Sequence, residues 1–282
     1  MPALTLDKYE GLGNDFLVLI DPTRELRFDA EIARALCDRH LGIGADGLLR
    51  LSRPRGNGDL LMELRNADGS IAETSGNGMR CAVLAAMDHG LVDRDEMTIE
   101  TIVGESSARL LAKGSTGSAN IEVGMGTATI TRRAEFDRET RKAYGVSIGN
   151  PHLVLIGEQP DDLVVTEIGP DLETAVVGGQ NVELVEVPSS RDELSIDTWE
   201  RGSGFTLACG SGSAAAAAAV RLAGLVDDVV QVHNPGGSVT VELVGPASSP
   251  EVKLTGDARR IATITIEQID LESLLHVLMS QE

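Results

Sequence analysis

The chain has 282 residues and carries 24 Lys and Arg against 44 Asp and Glu, a formal net charge of −20 at pH 7. With only 2% aromatic residues, it is poor both in the cations that bind phosphate and in the rings that stack on bases, so nucleic acid and anionic membrane surfaces are excluded as expected partners. Hydrophobic residues make up 42%, enough for a full core, yet no apolar run approaches the ~20 residues that cross a bilayer.

The opening MPALTLDKYEGLGND has neither the basic nor the apolar region of a secretion signal, and Cys37, Cys81 and Cys209 are few and odd in number. Both features predict a cytoplasmic, reducing location. In chain order, LTLDKYE, DFLVLI, GLLRLS, DLLMELRN and MTIETIV read as β-strands bounded by turn residues, while Ala30–His40 and Met79–His89 carry helical spacing. Strands follow at Tyr144–Ile148, HLVLI, NVELVEV and LSIDTWE, then an alanine-rich helix at Ser213–Leu222. VVQVHN, SVTVELV, VKLTG and ATITIE are further strands, and Leu271–Met279 reads as a closing helix. Few crossover helices are evident between the strands.

The chain also repeats itself. Gly13–Ile20 (GNDFLVLI) resembles Gly149–Ile156 (GNPHLVLI) 136 residues on, and Ser75–Ala86 resembles Cys209–Val220 134 residues on. Two matched pairs at nearly one spacing predict two homologous halves. The expected fold class is α+β, with two pseudo-symmetric halves, each a curled mixed or antiparallel sheet around a central helix. The expected domains are 1–124, joined by the C-terminal segment 269–282, and 125–268.

In both halves a Ser/Cys-Gly-x-Gly turn runs into a helix. A helix start leaves N–H groups unpaired at the positive end of the dipole, a site for a carboxylate or a thiolate. Cys209 at such a start is expected to have a lowered thiol pKa. The spacing alone also fits a small buried residue at a tight turn. No Gly-Lys-Ser/Thr follows either turn, so a phosphate loop is disfavoured, and no dinucleotide fingerprint follows a strand. His40, His89, His152, His233 and His276 lack metal-ligand spacing, so no metal is expected. Two facing helix starts would suit a zwitterionic amino acid, its carboxylate on the amides and its Cα between side chains from opposite halves, the geometry of stereoinversion.

GLGNDF (11–16), RHLGIGADG (39–47), RNADGS (65–70), SGNGMR (75–80), GNPH (149–152), QNVELV (180–185), WERGSG (199–204) and LACGSG (207–212) together resemble the diaminopimelate epimerase family nearly end to end. The resemblance implies a cofactor-independent epimerase that interconverts LL- and meso-diaminopimelate, with a small amino acid as substrate and a homodimer as candidate assembly. It implies that Asn14, Asn66, Asn150 and Asn181 bind the polar ends of the substrate, and that Gly76–Asn77 and Gly210–Ser211 hold the reacting carboxylate. Glu200 and Arg201 are assigned to the distal amino-carboxylate group, and His152 with Glu200 to tuning the catalytic pair. Read singly, the asparagines also fit turn positions, Glu200–Arg201 a surface ion pair, and His152 a satisfied strand histidine. Cys37 and Cys81 read as core.

Two positions depart from the family pattern. Phe205 stands where a Glu is usual, and Ser75 stands where the family places the first of two cysteines. A serine hydroxyl is a weaker acid than a thiol by roughly 5 pKa units, or ~7 kcal/mol, against ~1–2 kcal/mol from a helix start. Three readings follow: an epimerase working with Ser75 or water held by it, a one-cysteine dehydratase or racemase acting on another amino acid, or a non-catalytic amino-acid binding protein. Retention of the substrate-facing motifs favours the first.

Overall fold

A computed structural model describes residues 4–73, 75–114, 117–138, 140–157, 163–187 and 190–266. The elements in chain order are β1 (Leu4–Gly11), β2 (Asn14–Ile20), α1 (Ala30–Cys37), β3 (Gly47–Ser52), β4 (Leu60–Asn66), α2 (Gly76–Asp88), β5 (Glu96–Thr101), β6 (Gly104–Lys113), β7 (Ser118–Thr127) and β8 (Thr129–Arg132). There follow β9 (Arg141–Ser147), β10 (Pro151–Gly157), α3 (Val165–Glu173), β11 (Asn181–Glu186), β12 (Glu193–Glu200), β13 (Gly204–Thr206), α4 (Gly210–Leu222), β14 (Val229–Asn234), β15 (Gly237–Val244) and β16 (Glu251–Ile266). The chain forms two units, one holding the described residues of 1–73, 77–121 and 257–282, the other those of 74–76 and 122–256.

In the first unit β1 pairs with both β2 and β16, so that β1-β2-β3-β4-β5-β6-β7-β16 closes into an eight-stranded barrel. Its long helix, α2, is buried from Gly76 to Ala86, and Cys81, Ala82, Val83, Ala85 and Ala86 are at or near zero exposure. The shorter α1 starts where Asp29 accepts the Ile32 N–H at 3.0 Å, a side-chain cap on an otherwise unpaired amide. Ile32, Ala33 and Leu36 then seat the helix in a second apolar cluster with Leu6, Leu17 and Leu48.

The second unit runs β16-β15-β14-β12-β11-β10-β9-β8, with β13 on β12. Beyond β8 the Ala128 N–H meets the Pro250 carbonyl at 2.9 Å and the Ile130 N–H meets Ser248 at 3.4 Å. Helix α4 is buried from Gly210 to Val220, with Ala214 to Ala219 all at 0% exposure. Side chains of one methyl let the surrounding strands close around a helix without leaving voids.

The curled mixed sheet around a central helix is therefore the observed fold in each unit. Crossovers are more numerous than the sequence reading had them. β2–β3, β4–β5, β10–β11 and β12–β14 are all parallel, and a parallel pair needs a connection that returns along the sheet; α1, α2, α3 and α4 supply them. Helix α3 escapes detection because Gly169 and Pro170 lie inside it. Gly169 is there for packing: a Cβ would stand 2.5 Å from Trp199 Cγ. VKLTG and ATITIE are two parts of the single strand β16. The closing helix expected at 271–279, like the segment 269–282, lies outside the described residues.

Candidate active site

Cys209 caps α4. Its backbone is extended, and its Sγ accepts the Gly212 N–H at 3.3 Å and lies 3.5 Å from Ser211 Oγ. These contacts favour the thiolate, as the helix-start reasoning requires, but they do not decide the outcome. Burial pushes the thiol well above its ordinary value, and the Glu200 and Glu183 carboxylates push it the same way, against the smaller pull of Ser211 and Gly212. The expected lowering is therefore overturned in the unliganded protein. The helix start is one of several fields acting at Sγ, and the sheet behind it brings two acidic groups that sequence distance had hidden.

Glu200 ends β12 and accepts from Thr206 Oγ1 at 2.6 Å, and its carboxylate is one of the groups whose charge acts on the Cys209 thiol. Burial raises its carboxyl above the usual range. A carboxyl raised in this way is a fit acceptor for a proton from a neighbouring thiol. The turn that follows is anchored from α3: Glu173 accepts from Trp199 Nε1 at 2.7 Å and from the Gly202 N–H at 3.0 Å. Arg201 is exposed, and its backbone N–H donates to Asn181 Oδ1 at 2.8 Å.

Asn150, His152, Asn181 and Ser211 come together beside Cys209. His152 is 1% exposed; its Nε2 is 2.9 Å from Asn150 Oδ1 and 3.5 Å from Asn181 Nδ2, and its Nδ1 is 2.7 Å from Glu183 Oε1. Asn150 Nδ2 donates to Ser211 Oγ at 3.4 Å. Gly76, which groups with this unit, is packed so that a Cβ would meet Met125 Sδ at 3.2 Å and Gly210 Cα at 3.5 Å. Ser75 immediately precedes α2, as Cys209 precedes α4.

In the first unit Asn14 and Asn77 meet: Asn77 Nδ2 donates to Asn14 Oδ1 at 3.2 Å, and Asn14 Nδ2 donates to Asp46 Oδ2 at 2.7 Å. Arg80, fully buried, fixes the other end of the Asn77 amide by donating from Nη2 to Oδ1 at 2.8 Å. Asp46 is held in turn by Arg39 Nη2 at 2.7 Å. Asn66 Nδ2 donates to Ser70 Oγ at 3.0 Å, within the tight RNADGS turn. Phe205 is 43% exposed on β13 opposite Trp199. Cys37 and Cys81 are core residues, pushed up to about 12 by burial. Among the described residues no cluster of His, Cys, Asp or Glu could hold a metal ion, and no helix is long and apolar enough to cross a membrane.

Three groups went unremarked in the sequence. Arg80 and Asp46 lie inside quoted motifs but read as helix and turn residues. Glu183 sits in NVELV, where every residue from Asn181 to Val185 is buried; a strand covered on both faces shows no alternation to single out one acidic residue.

Similarity to known proteins agrees with this geometry. The family model described as diaminopimelate epimerase matches residues 7–131 and 144–261. A diaminopimelate epimerase of Synechocystis is 36% identical over 282 aligned residues, covering 92% of this chain and 97% of that protein. One from Caldanaerobacter subterraneus is 36% identical over 252, covering 83% and 90%. Among solved structures, a probable proline racemase from Agrobacterium radiobacter superposes with a TM-score of 0.70 at 15% identity, over 94% of this chain and 93% of that one. A Bacillus anthracis protein of the PhzF family gives 0.71 at 13% identity, over 95% and 100%; these two likenesses speak to the fold. With a family model matched along most of its length and relatives above a third identical, the chain belongs to the diaminopimelate epimerase family.

Proposed function

We propose that the chain interconverts LL- and meso-2,6-diaminopimelate on the lysine biosynthetic route, in the cytoplasm and without a cofactor, by moving a proton off one face of Cα and onto the other. The observation that carries this reading is Cys209 at the start of α4, with the Gly212 N–H on its sulfur and the Glu200 carboxyl acting on its thiol. The family match supplies the substrate class.

In this reading the reacting carboxylate lies on the backbone amides of Gly210–Ser211 and Gly76–Asn77. Its charge grows as the α-proton leaves, and preorganised N–H donors stabilise that growth. The ammonium group of the substrate would offset the Glu200 and Glu183 carboxylates, moving Cys209 toward the thiolate at the moment it is needed. Asn14, Asn66, Asn150 and Asn181 orient the polar ends, because an amide offers a donor and an acceptor together. Arg201 binds the distal carboxylate, and His152 tunes the pair. Ser75, or a water bound there, serves the second face more slowly.

The Ser75 position keeps a second reading in play: one-base chemistry at Cys209, such as loss of water from a hydroxylated amino acid. Proton NMR in deuterated water separates the two. Loss of the Cα–H signal from LL-diaminopimelate with appearance of the meso isomer supports epimerisation. Exchange without inversion, or elimination from a hydroxylated substrate, supports one-base chemistry, and silence with binding removes catalysis altogether.

A further inference from the structure

Glu183 and His152 form a buried pair. Both side chains are fully enclosed, at 0% side-chain exposure, with Glu183 Oε1 2.7 Å from His152 Nδ1. The other carboxylate oxygen, Oε2, is buried without a hydrogen-bond partner among the described residues. An acidic side chain buried in a strand and half satisfied is expensive to keep. Its surroundings are shaped around it: a Cβ on Gly212 would stand 2.8 Å from Oε1, so only glycine lets the first turn of α4 lie against this carboxylate. That same glycine supplies the N–H on Cys209 Sγ.

From the pair, polar contacts run both to Asn181 and, through Asn150, toward Cys209. His152 Nε2 faces Asn150 Oδ1 at 2.9 Å, Asn150 Nδ2 donates to Ser211 Oγ at 3.4 Å, and Ser211 Oγ lies 3.5 Å from Cys209 Sγ. A carboxylate at Nδ1 accepts the N–H there and fixes the ring plane, and Nε2 donates to Asn150 Oδ1 when it too carries a proton. The same logic orients the histidine of a catalytic triad, where removing the charge of the carboxylate lets the wrong tautomer form.

We propose that Glu183 is a positioning residue: it holds His152 with the hydrogen on Nδ1 and Nε2 turned toward Asn150, Asn181 and the Cys209 end of the site. This rests on the epimerase reading for its kinetic consequence, but not for its structural content. The titratable groups acting on the cluster besides the pair itself are Glu200 on β12 and Cys209 at the start of α4.

The test uses the full chain labelled with 15N-histidine and no substrate, with Glu183→Gln and Glu183→Asp beside the wild type. In the wild type the Nδ1 signal of His152 is expected in the protonated range. In Glu183→Gln the amide can present its NH2 group, so Nδ1 should move toward the unprotonated range, and Glu183→Asp should return it. With diaminopimelate, Glu183→Gln should lower kcat at least tenfold while KM stays within about threefold, and Glu183→Asp should recover part of the loss. An unprotonated Nδ1 in the wild type overturns the proposal even if the variants fail to fold, and so does a folded Glu183→Gln with unchanged tautomer and kcat. If the wild type itself neither exchanges nor inverts diaminopimelate, the epimerase reading falls while the nitrogen signals still decide the role of Glu183.

Discussion

Removing the charge of Glu200 should make Cys209 more reactive, although it removes a group the reaction is proposed to use. The Glu200 carboxylate is among the groups that hold the Cys209 thiol protonated. Two unit charges about 4 Å apart at an effective dielectric of about 20 interact by ~4 kcal/mol. At 1.36 kcal/mol per decade, Glu200→Gln would enlarge the thiolate population roughly 1,000-fold. The freed thiolate is a weaker nucleophile in proportion to its lower basicity, with a Brønsted coefficient of about 0.45, which takes back roughly 20-fold. A net gain of roughly 50-fold in reaction with a small disulfide reagent is expected near neutral pH, read at the Cys209 peptide by mass spectrometry. Cys37 and Cys81, at 2% and 0% exposure, serve as internal references whose labelling should not change. An unchanged or slower Cys209 rate in a folded Glu200→Gln protein would show that burial alone holds the proton on sulfur, and the role of Glu200 as proton acceptor would have to be abandoned.

Ser75→Cys should raise hydrogen exchange from the slower of the two substrate isomers by orders of magnitude, with affinity nearly constant, because the carboxylate is held by backbone amides; isotope exchange with each isomer in deuterated water reads it, and no gain in either direction favours one-base chemistry. Asp7 should contribute to acid stability. Burial pulls its carboxyl upward, but hydrogen bonds from Thr263, Arg260 and His89 prevail and hold it below the usual range. A group lowered in the folded state stabilises fully above its unfolded value of about 3.9 and loses that contribution as pH falls through the lower folded value. Asp7→Asn should therefore cost about 3 kcal/mol near neutrality and progressively less as pH falls below about 3.9, as urea midpoints at neutral and acid pH would show.

Much of the fold could be read from the chain because its signals are local. Apolar runs ending at Gly, Asn and Asp marked most strands, and the Gly-x-Gly turns marked the starts of α2 and α4 at Gly76 and Gly210. What stayed hidden depended on partners distant in sequence. Glu183 and Glu200 reach Cys209 from β11 and β12, so a rule based on the helix start alone gave the wrong direction for its thiol. Helix α3 was obscured because Gly169 answers to the Trp199 ring rather than to helix propensity. Asn14 and Asn77 were legible as motif members, but the buried Arg80 that sets the Asn77 amide could be recognised only once its surroundings were known.

The run of alanines through α4 has a consequence for how this protein can change. Six consecutive residues, Ala214 to Ala219, are fully enclosed, and inserting even one or two carbons into such a closed interior commonly costs 1–3 kcal/mol. The alanine run is thus a part of the second unit little open to variation. A new substrate preference must be written on the encircling wall, in Asn150, Asn181, the 200–206 hairpin and their neighbours. A library built by randomising α4 should yield misfolded protein, whereas one confined to those wall positions should yield folded variants with altered selectivity.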